Sequence, residues 1–177
     1  MAIEDLVKVV PPPSNPLDAG SVAARAVIEG RLGFALPNDL YDFVSRYGTG
    51  AFSDTLTIHN PFAPNYFEVL DEVSTCYREL KRSEGDTVIP YHVYPASPGL
   101  LLCGSEVNGH IIFWLTEGQP DQWPLILMAV DFQFERRDVS LTAFLAQVQS
   151  GQTGCVFWDL EWVRNNLVGV AYRQTTI

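Results

Sequence analysis

The sequence predicts an α+β fold in which helices pack on one side of a mostly antiparallel sheet. Three observations lead to this class. Apolar residues recur with helical spacing in the first half of the chain and again after residue 140, and short apolar runs of strand length lie between these two regions. Two of the short runs are joined by Asn108-Gly109, a dipeptide that favours a β-hairpin.

The chain has 177 residues, 47% of them hydrophobic and 12% aromatic, which suffices for one domain with a sizeable core. We predict a single domain over 1–177 that begins with a Pro-rich lead-in over 1–20. Pro11-Pro12-Pro13 in this lead-in cannot continue a helix. Residues 152–177, which include Phe157-Trp158, are too apolar for a loose terminus. We therefore expect a packed C-terminal extension, on this domain or on another subunit.

Two helices are predicted over 21–31 and 37–47. Ser21 can cap the first helix. Pro37 suits the start of the second, because the first turn leaves its N–H position unpaired anyway, and Asp39 places a carboxylate beside the exposed N–H groups. Gly48 ends this helix, since glycine accepts a positive φ. The apolar face of the second helix comprises Leu40, Phe43, Val44 and Tyr47.

The centre of the chain predicts a strand over 55–58 and a long helix over 68–83, with Cys76 on its apolar face. Strands over 100–102 and 110–115 flank Asn108-Gly109, which suits the positive φ angles of a type I′ turn. Extended segments over 126–130 and 132–135 complete the sheet. A last core helix begins at the capping residue Ser140 and ends at Gly151.

The ordered set of these motifs resembles the SUKH superfamily. The resemblance rests on Leu36-Pro37-Asn38-Asp39, on Tyr47-Gly48-Thr49-Gly50-Ala51-Phe52, and on the stretch from Leu102-Cys103-Gly104 to Phe113-Trp114-Leu115-Thr116. It covers positions 7 to 151, with departures at Cys103, where the family often has Trp, and at His110, where Asp is common. The residues that the resemblance assigns to the fold are Leu36, Pro37, Asp39, Tyr47, Gly48 and Trp114.

Bacterial members of this superfamily are largely immunity proteins that neutralise secreted toxins, and its fungal members regulate cell-wall synthesis. The resemblance therefore implies a non-enzymatic immunity protein that binds and neutralises a bacterial polymorphic or contact-dependent toxin, for example a nuclease. Two alternatives stay open: a regulatory scaffold that binds another protein, and a small hydrolase with an unrecognised acid–base site. The exposed acids and the aromatic side chain expected to bind the toxin are Asp54, Glu106, Glu117, Asp121 and Trp123.

The formal net charge of −10 argues against a nucleic-acid ligand, because phosphate contacts need clustered lysines and arginines. Acidity favours a basic protein partner or contributes only solubility. The N-terminus lacks the pattern of a signal peptide and no apolar run has membrane-spanning length, so we expect a cytoplasmic protein without membrane contact. Three widely spaced cysteines are expected to be reduced and buried: Cys76, Cys103 and Cys155.

The sequence contains no clear catalytic or metal-binding motif. His59, His92 and His110 are far apart and have no neighbouring ligand, which argues against a metal site. Cys103 could meet His110 across the hairpin, although a buried structural cysteine is the favoured interpretation. Carboxylate pairs such as Asp131 and Glu135 lie in no evident pocket-forming loop. We therefore expect no catalytic residue, no metal and no cofactor, and the sequence leaves the oligomeric state open.

Overall fold

A computed structural model of the chain describes residues 2–175. The helices in this range are α1 (Ala2–Val9), α2 (Val22–Leu32), α3 (Asn38–Tyr47), α4 (Tyr66–Glu84), α5 (Leu141–Gln149) and α6 (Leu160–Asn166). The strands are β1 (Gly50–Phe52), β2 (Leu56–Ile58), β3 (Leu100–Glu106), β4 (Ile111–Leu115), β5 (Leu125–Met128), β6 (Phe134–Arg137) and β7 (Tyr172–Gln174). They form one sheet of order β6-β5-β4-β3-β2-β1-β7, and every pair is antiparallel. The predicted α+β class with an antiparallel sheet is confirmed.

The ends of the predicted helices follow the local capping chemistry. The hydroxyl of Ser21 accepts a hydrogen bond from Ala24 N at 3.1 Å at the start of α2. Gly48 ends α3 with a φ of 67°. A Cβ atom at this glycine would lie 2.2 Å from the carbonyl oxygen of Leu17. Position 48 therefore requires glycine both for its backbone angle and for the close approach of another chain segment.

Helices cover both faces of the sheet, whereas the sequence predicts helices on one side only. Phe43 of α3 packs against Phe52 of β1 with ring centroids 6.1 Å apart, and Tyr77 of α4 packs against Phe113 of β4 at 5.6 Å. The strand register places Phe52 and Phe113 on opposite faces. In β3, β4 and β5 every residue except Ser105 is buried, so the centre of the sheet is covered on both sides.

The type I′ turn forms at a different hairpin from the one predicted. Ser53 and Asp54, between β1 and β2, both have positive φ angles, of 52° and 55°. Between β3 and β4 only Gly109 has a positive φ, of 92°, and Asn108 does not. The prediction for Asn108-Gly109 is wrong because the Glu106 side chain bonds the backbone N–H of Asn108 and holds a longer turn in place.

The lead-in and the extension both pack on this domain. The lead-in forms α1, a helix beyond those that the sequence predicts. Leu6 is fully buried, and the Tyr47 hydroxyl donates to Val10 O at 2.6 Å. The extension supplies α6 and β7, and Tyr172 of β7 pairs with Phe52 of β1. No helix in the described part of the chain has the length and apolarity needed to cross a membrane.

The three cysteines differ in burial. Cys103 is buried at a bulge in β3, and Cys155 is half-buried. Cys76 is exposed, so its predicted burial is wrong. The reason is the orientation of α4, which turns Leu70 and Ser74 toward the sheet and leaves Cys76 at the margin of the buried face. All three are free thiols, as expected.

Candidate functional site

The predicted partner-binding residues lie at two opposite ends of the sheet. Asp54 and Glu106 lie at one end, where Val107 N donates a hydrogen bond to Thr55 O at 3.1 Å and joins the β1–β2 and β3–β4 turns. The other three follow β4 at the opposite end: Glu117, Asp121 and Trp123. Strand β3 separates the two ends by about 20 Å, at about 3.3 Å per residue. The five residues therefore do not form one continuous site.

Glu106 is buried, which corrects its prediction as a solvated turn residue. Its side chain is 1% exposed and accepts hydrogen bonds from Asn108 N at 2.9 Å and from Asn108 Nδ2 at 2.8 Å. The correction has a simple cause: β3 continues four residues beyond its predicted end, so Glu106 belongs to the strand and its carboxylate folds back over the turn. Glu106 shapes the turn and is not available to contact a partner.

Trp123 is also buried, which corrects its placement on the partner-binding surface. It packs edge-to-face on Phe34 with ring centroids 5.6 Å apart. Asp121 is exposed, but it accepts hydrogen bonds from Asn38 N and Asn38 Nδ2, both at 2.7 Å, and so caps the start of α3. Glu117 is paired with Arg136 at 2.6 Å. At this end of the sheet, Trp123 and Asp121 serve the fold.

The opposite end presents apolar side chains to solvent. Val107 is 69% exposed, Val130 is 59% exposed and Phe132 is 37% exposed. They lie in the β3–β4 and β5–β6 turns, which are joined by a hydrogen bond from Val130 N to His110 Nδ1 at 3.0 Å. We define the turn surface as these apolar residues and the exposed acids beside them: Val107, Val130, Phe132, Asp54 and Asp131.

Phe132 has a backbone conformation that bulky residues rarely adopt. The turns 106–110 and 129–133 have the same hydrogen-bond pattern: the fourth residue's N–H donates to the first residue's carbonyl at 2.9 Å in both. The fourth residue has a positive φ in each turn, of 92° at Gly109 and 62° at Phe132. A positive φ at a residue with a Cβ costs on the order of 1–2 kcal/mol. The chain therefore keeps a strained aromatic residue where glycine would fit without strain.

A buried polar network supports the turn surface from below. Since His110 Nδ1 accepts the Val130 N–H, Nε2 carries the proton in the neutral ring and faces Glu106 Oε2 at 3.9 Å. The His110 ring also stacks on Phe157, with centroids 4.8 Å apart. Because Glu106 in turn holds Asn108, the two turns are fixed relative to each other and to the C-terminal extension. The backbone of the turn surface is thus held in place by internal contacts.

The basic side chains of the described chain are all engaged in internal contacts. Eight of the eleven lysines and arginines form ion pairs with acids. The other three contact a ring or a backbone carbonyl: Arg31 lies over Phe67, Arg78 donates to Tyr94 O and Arg164 donates to Gly151 O. The exposed charge that has no opposite partner is therefore acidic. This distribution suits a basic partner and does not suit phosphate groups.

The candidate catalytic groups do not assemble into a site. No hydrogen bond joins Cys103 and His110 in residues 2–175, and burial raises the pKa of the Cys103 thiol well above its usual value. His59 Nε2 is hydrogen-bonded to the Ser105 hydroxyl at 3.0 Å, but burial lowers the pKa of His59 to about 4. Such a histidine is a weak general base at neutral pH. Residues 2–175 contain no cluster of three or more side chains that could bind a metal ion.

The apolar part of the turn surface lies outside the set of residues that the sequence predicts to bind a partner. Val107 directly precedes Asn108-Gly109, and Val130 and Phe132 flank Asp131, so apolar residues within turns were the available signal. Turn positions are usually polar, and an apolar residue there is a candidate for binding. The predicted extended segment over 132–135 includes Phe132, but the strand begins two residues later, at Phe134.

The chain was compared with protein-family models, with curated proteins and with solved structures, and none of the three comparisons gives a match.

Proposed function

We propose that this chain is a SUKH-like immunity protein that binds and neutralises a basic toxin domain through the turn surface, without a catalytic step of its own. The observation that carries the proposal is Phe132, held at a φ of 62° in an exposed turn beside Val107 and Val130. Backbone strain together with exposed apolar side chains is typical of a surface retained for binding.

The two kinds of side chain on this surface would act at different stages of binding. Val107, Val130 and Phe132 would be buried at the centre of the interface and would slow dissociation. Asp131, which has no basic partner in the described chain, and the net charge of −10 would attract a basic toxin and speed association. The Glu106–His110 network would limit the ordering cost of binding, because the turns are held in place beforehand.

The proposal predicts a toxin domain encoded beside this gene, and co-expression with that domain tests it. The double variant Val107→Asp/Val130→Asp should lose rescue from toxicity and bind about 30-fold more weakly, a loss of about 2 kcal/mol. The matched control is Val27→Asp on α2, since Val27 is 72% exposed and lies outside the turn surface. The control should retain full rescue. Undiminished rescue and affinity in a folded double variant would exclude the turn surface as the binding site.

Salt dependence tests the electrostatic part separately. The association rate with the toxin domain should fall as added salt screens the attraction, and Asp131→Lys should lower it further at low salt. The dissociation rate should change little. A regulatory scaffold, the alternative function, would bind a different protein through the same surface and would rescue no cell from the adjacent toxin.

A further inference from the structure

His110 joins the two turns of the turn surface through a hydrogen bond that only one charge state of its ring can accept. The backbone N–H of Val130 donates to His110 Nδ1 at 3.0 Å. A neutral imidazole has one nitrogen that accepts, whereas both nitrogens of the protonated ring carry a hydrogen and can only donate. Protonation of His110 would therefore place two N–H groups face to face and abolish this bond.

The bond to His110 connects the β5–β6 turn to the neighbouring hairpin. In residues 2–175, the other hydrogen bonds of positions 130–132 stay within the turn: Phe132 N donates to Ala129 O at 2.9 Å, and Asp131 accepts from Gln133 Nε2 at 2.8 Å. Neither of them reaches the β3–β4 hairpin. Once the Val130 N–H loses its acceptor, the tip of the turn is held only by its own short-range contacts and can open locally.

The other side of the contact stays in place when the ring is protonated. The His110 carbonyl accepts a hydrogen bond from Glu106 N at 2.8 Å, and the ring stacks on Phe157 with centroids 4.8 Å apart. His110 Nε2 faces Glu106 Oε2 at 3.9 Å, so a charged ring would be attracted to this buried carboxylate. Protonation thus favours the partner on β3 at the expense of the partner on the β5–β6 turn.

Few other ionisable groups face the ring. Glu106 is the one acid within 4.0 Å of the His110 nitrogens in the described chain. Strand β5 carries no ionisable side chain, and Asp131 of the β5–β6 turn forms no ion pair with His110 in residues 2–175. The C-terminal extension presents the uncharged Phe157 ring, and its Asp159 caps α6. The His110 side chain is 14% exposed, so a proton can reach it from water.

We propose that protonation of His110 releases the β5–β6 turn and switches the turn surface from a fixed to a mobile state. Histidine is the side chain that changes charge between about pH 5 and pH 8, so the switch operates in that range. The release follows from the contacts of His110 alone. Its effect on a partner rests on the proposed function: a mobile turn surface would bind the toxin more weakly, because only the fixed fraction is competent to bind, and the added positive charge would repel a basic domain.

Amide hydrogen exchange followed by NMR tests the release without any partner. The protection of the Val130 N–H should fall about tenfold from about pH 8 to about pH 5, after correction for the intrinsic pH dependence of exchange. The midpoint of this fall should equal the midpoint at which the His110 ring protons titrate. Protection at Val130 that does not change with pH, or a fall whose midpoint differs from that of the His110 ring, would overturn the proposal.

The matched control is His110→Asn, because an asparagine oxygen can replace Nδ1 as the acceptor but does not titrate. This variant should keep the Val130 N–H protected throughout the pH range. His92→Asn removes an exposed histidine elsewhere in the chain and should retain the pH dependence of the wild type. A fall in Val130 protection that persists in His110→Asn would also overturn the proposal.

Affinity for the toxin domain provides the second readout. The wild type should bind about tenfold more weakly near pH 5.5 than near pH 7.5, and most of this difference should disappear in His110→Asn. Loss of Val130 protection without a change in affinity would confirm the release but contradict the turn surface as the toxin site. A change in affinity without loss of protection would overturn the switch. The switch and the proposed function can therefore fail independently.

Discussion

The two ends of the sheet use the same types of side chain for different tasks. At the turn end, the buried Glu106 supports a turn that exposes Val107 to solvent. At the opposite end, the exposed Asp121 caps α3, while the aromatic side chain of Trp123 is buried against Phe34. The difference shows that neighbouring elements decide the exposure of such residues near a strand end. An acid is drawn in where a backbone N–H group needs an acceptor, and an aromatic residue is buried where a neighbour offers apolar surface.

Asp39 is a second acid that caps a helix at the end of the sheet opposite the turn surface. Its carboxylate accepts hydrogen bonds from the backbone N–H of Thr142, at 2.8 Å, and from the Thr142 hydroxyl. Thr142 lies in the first turn of α5, so a residue in the first turn of α3 caps a second helix that is 103 residues away in the sequence. The carboxylates at this end, Asp39 and Asp121, thus connect elements that are distant in the chain.

The largest expected effect is at Trp123. Since this side chain is buried, Trp123→Ala should lower the free energy of unfolding by about 3–5 kcal/mol, because it leaves a large cavity. Urea denaturation measures this loss, and Trp123→Phe should show a smaller one. The affinity of the folded fraction for the toxin domain should not change. A loss below about 1 kcal/mol would contradict the assignment of this end to the fold.

Asp39→Ala should have the next largest effect. An interaction with the dipole of its own helix predicts a loss of about 0.5–1 kcal/mol. Loss of two hydrogen bonds from a charged acceptor to α5 raises this to about 2–3 kcal/mol. A double-mutant cycle with Thr142→Val isolates the contact between the helices, and thermal or urea unfolding provides the free energies. Strictly additive losses in the cycle would show that the contact contributes nothing.

The free energy of unfolding should depend on pH through His59, which lies beside β3. Burial lowers the pKa of His59 to about 4, below the value of about 6.5 in the unfolded chain. The unfolded chain therefore binds this proton first, and stability should fall by up to about 1.4 kcal/mol per pH unit as pH drops from 6.5 toward 4. Urea unfolding from pH 7 to pH 4 measures the slope. His59→Gln should reduce it, and an unchanged slope would assign the acid sensitivity to other groups.

The smallest expected effect, and the sharpest test of the turn end, is at Phe132. Phe132→Gly should increase stability by about 1 kcal/mol, since glycine adopts positive φ without strain. The same change should weaken toxin binding, because it removes an exposed aromatic contact. Gly109→Ala in the equivalent turn position is the counterpart and should decrease stability by a similar amount. If Phe132→Gly destabilises the monomer, its side chain serves the fold and not the surface.

The parts of the fold that were predicted correctly depend on chemistry within a few residues. Ser21 caps the helix that follows it, and Gly48 ends a helix with a positive φ angle. These groups interact with backbone that is adjacent in the sequence, so their environment is visible in the sequence itself. The apolar face of α3 is predicted for the same reason.

The errors involve residues whose environment is set by distant segments. The sequence predicts a solvated Glu106 because this residue precedes a turn, but its carboxylate is buried beside His110, which stacks on Phe157 of the C-terminal extension. Trp123 is covered by Phe34, which is almost ninety positions earlier in the sequence numbering. Helix α1 did have a local signal, with Ile3, Leu6 and Val10 at helical spacing, which the following prolines obscured.

The position of β7 has a consequence for the synthesis of the chain. Tyr172 donates a hydrogen bond from its hydroxyl to Gly48 O across 124 residues of sequence, and its strand covers the outer edge of β1. While a ribosome is still adding the residues between these positions, β1 has no neighbour on that side, and an open strand edge can pair with other nascent chains. We therefore expect the unfinished chain to be open to edge pairing through β1 until the residues of β7 have been added.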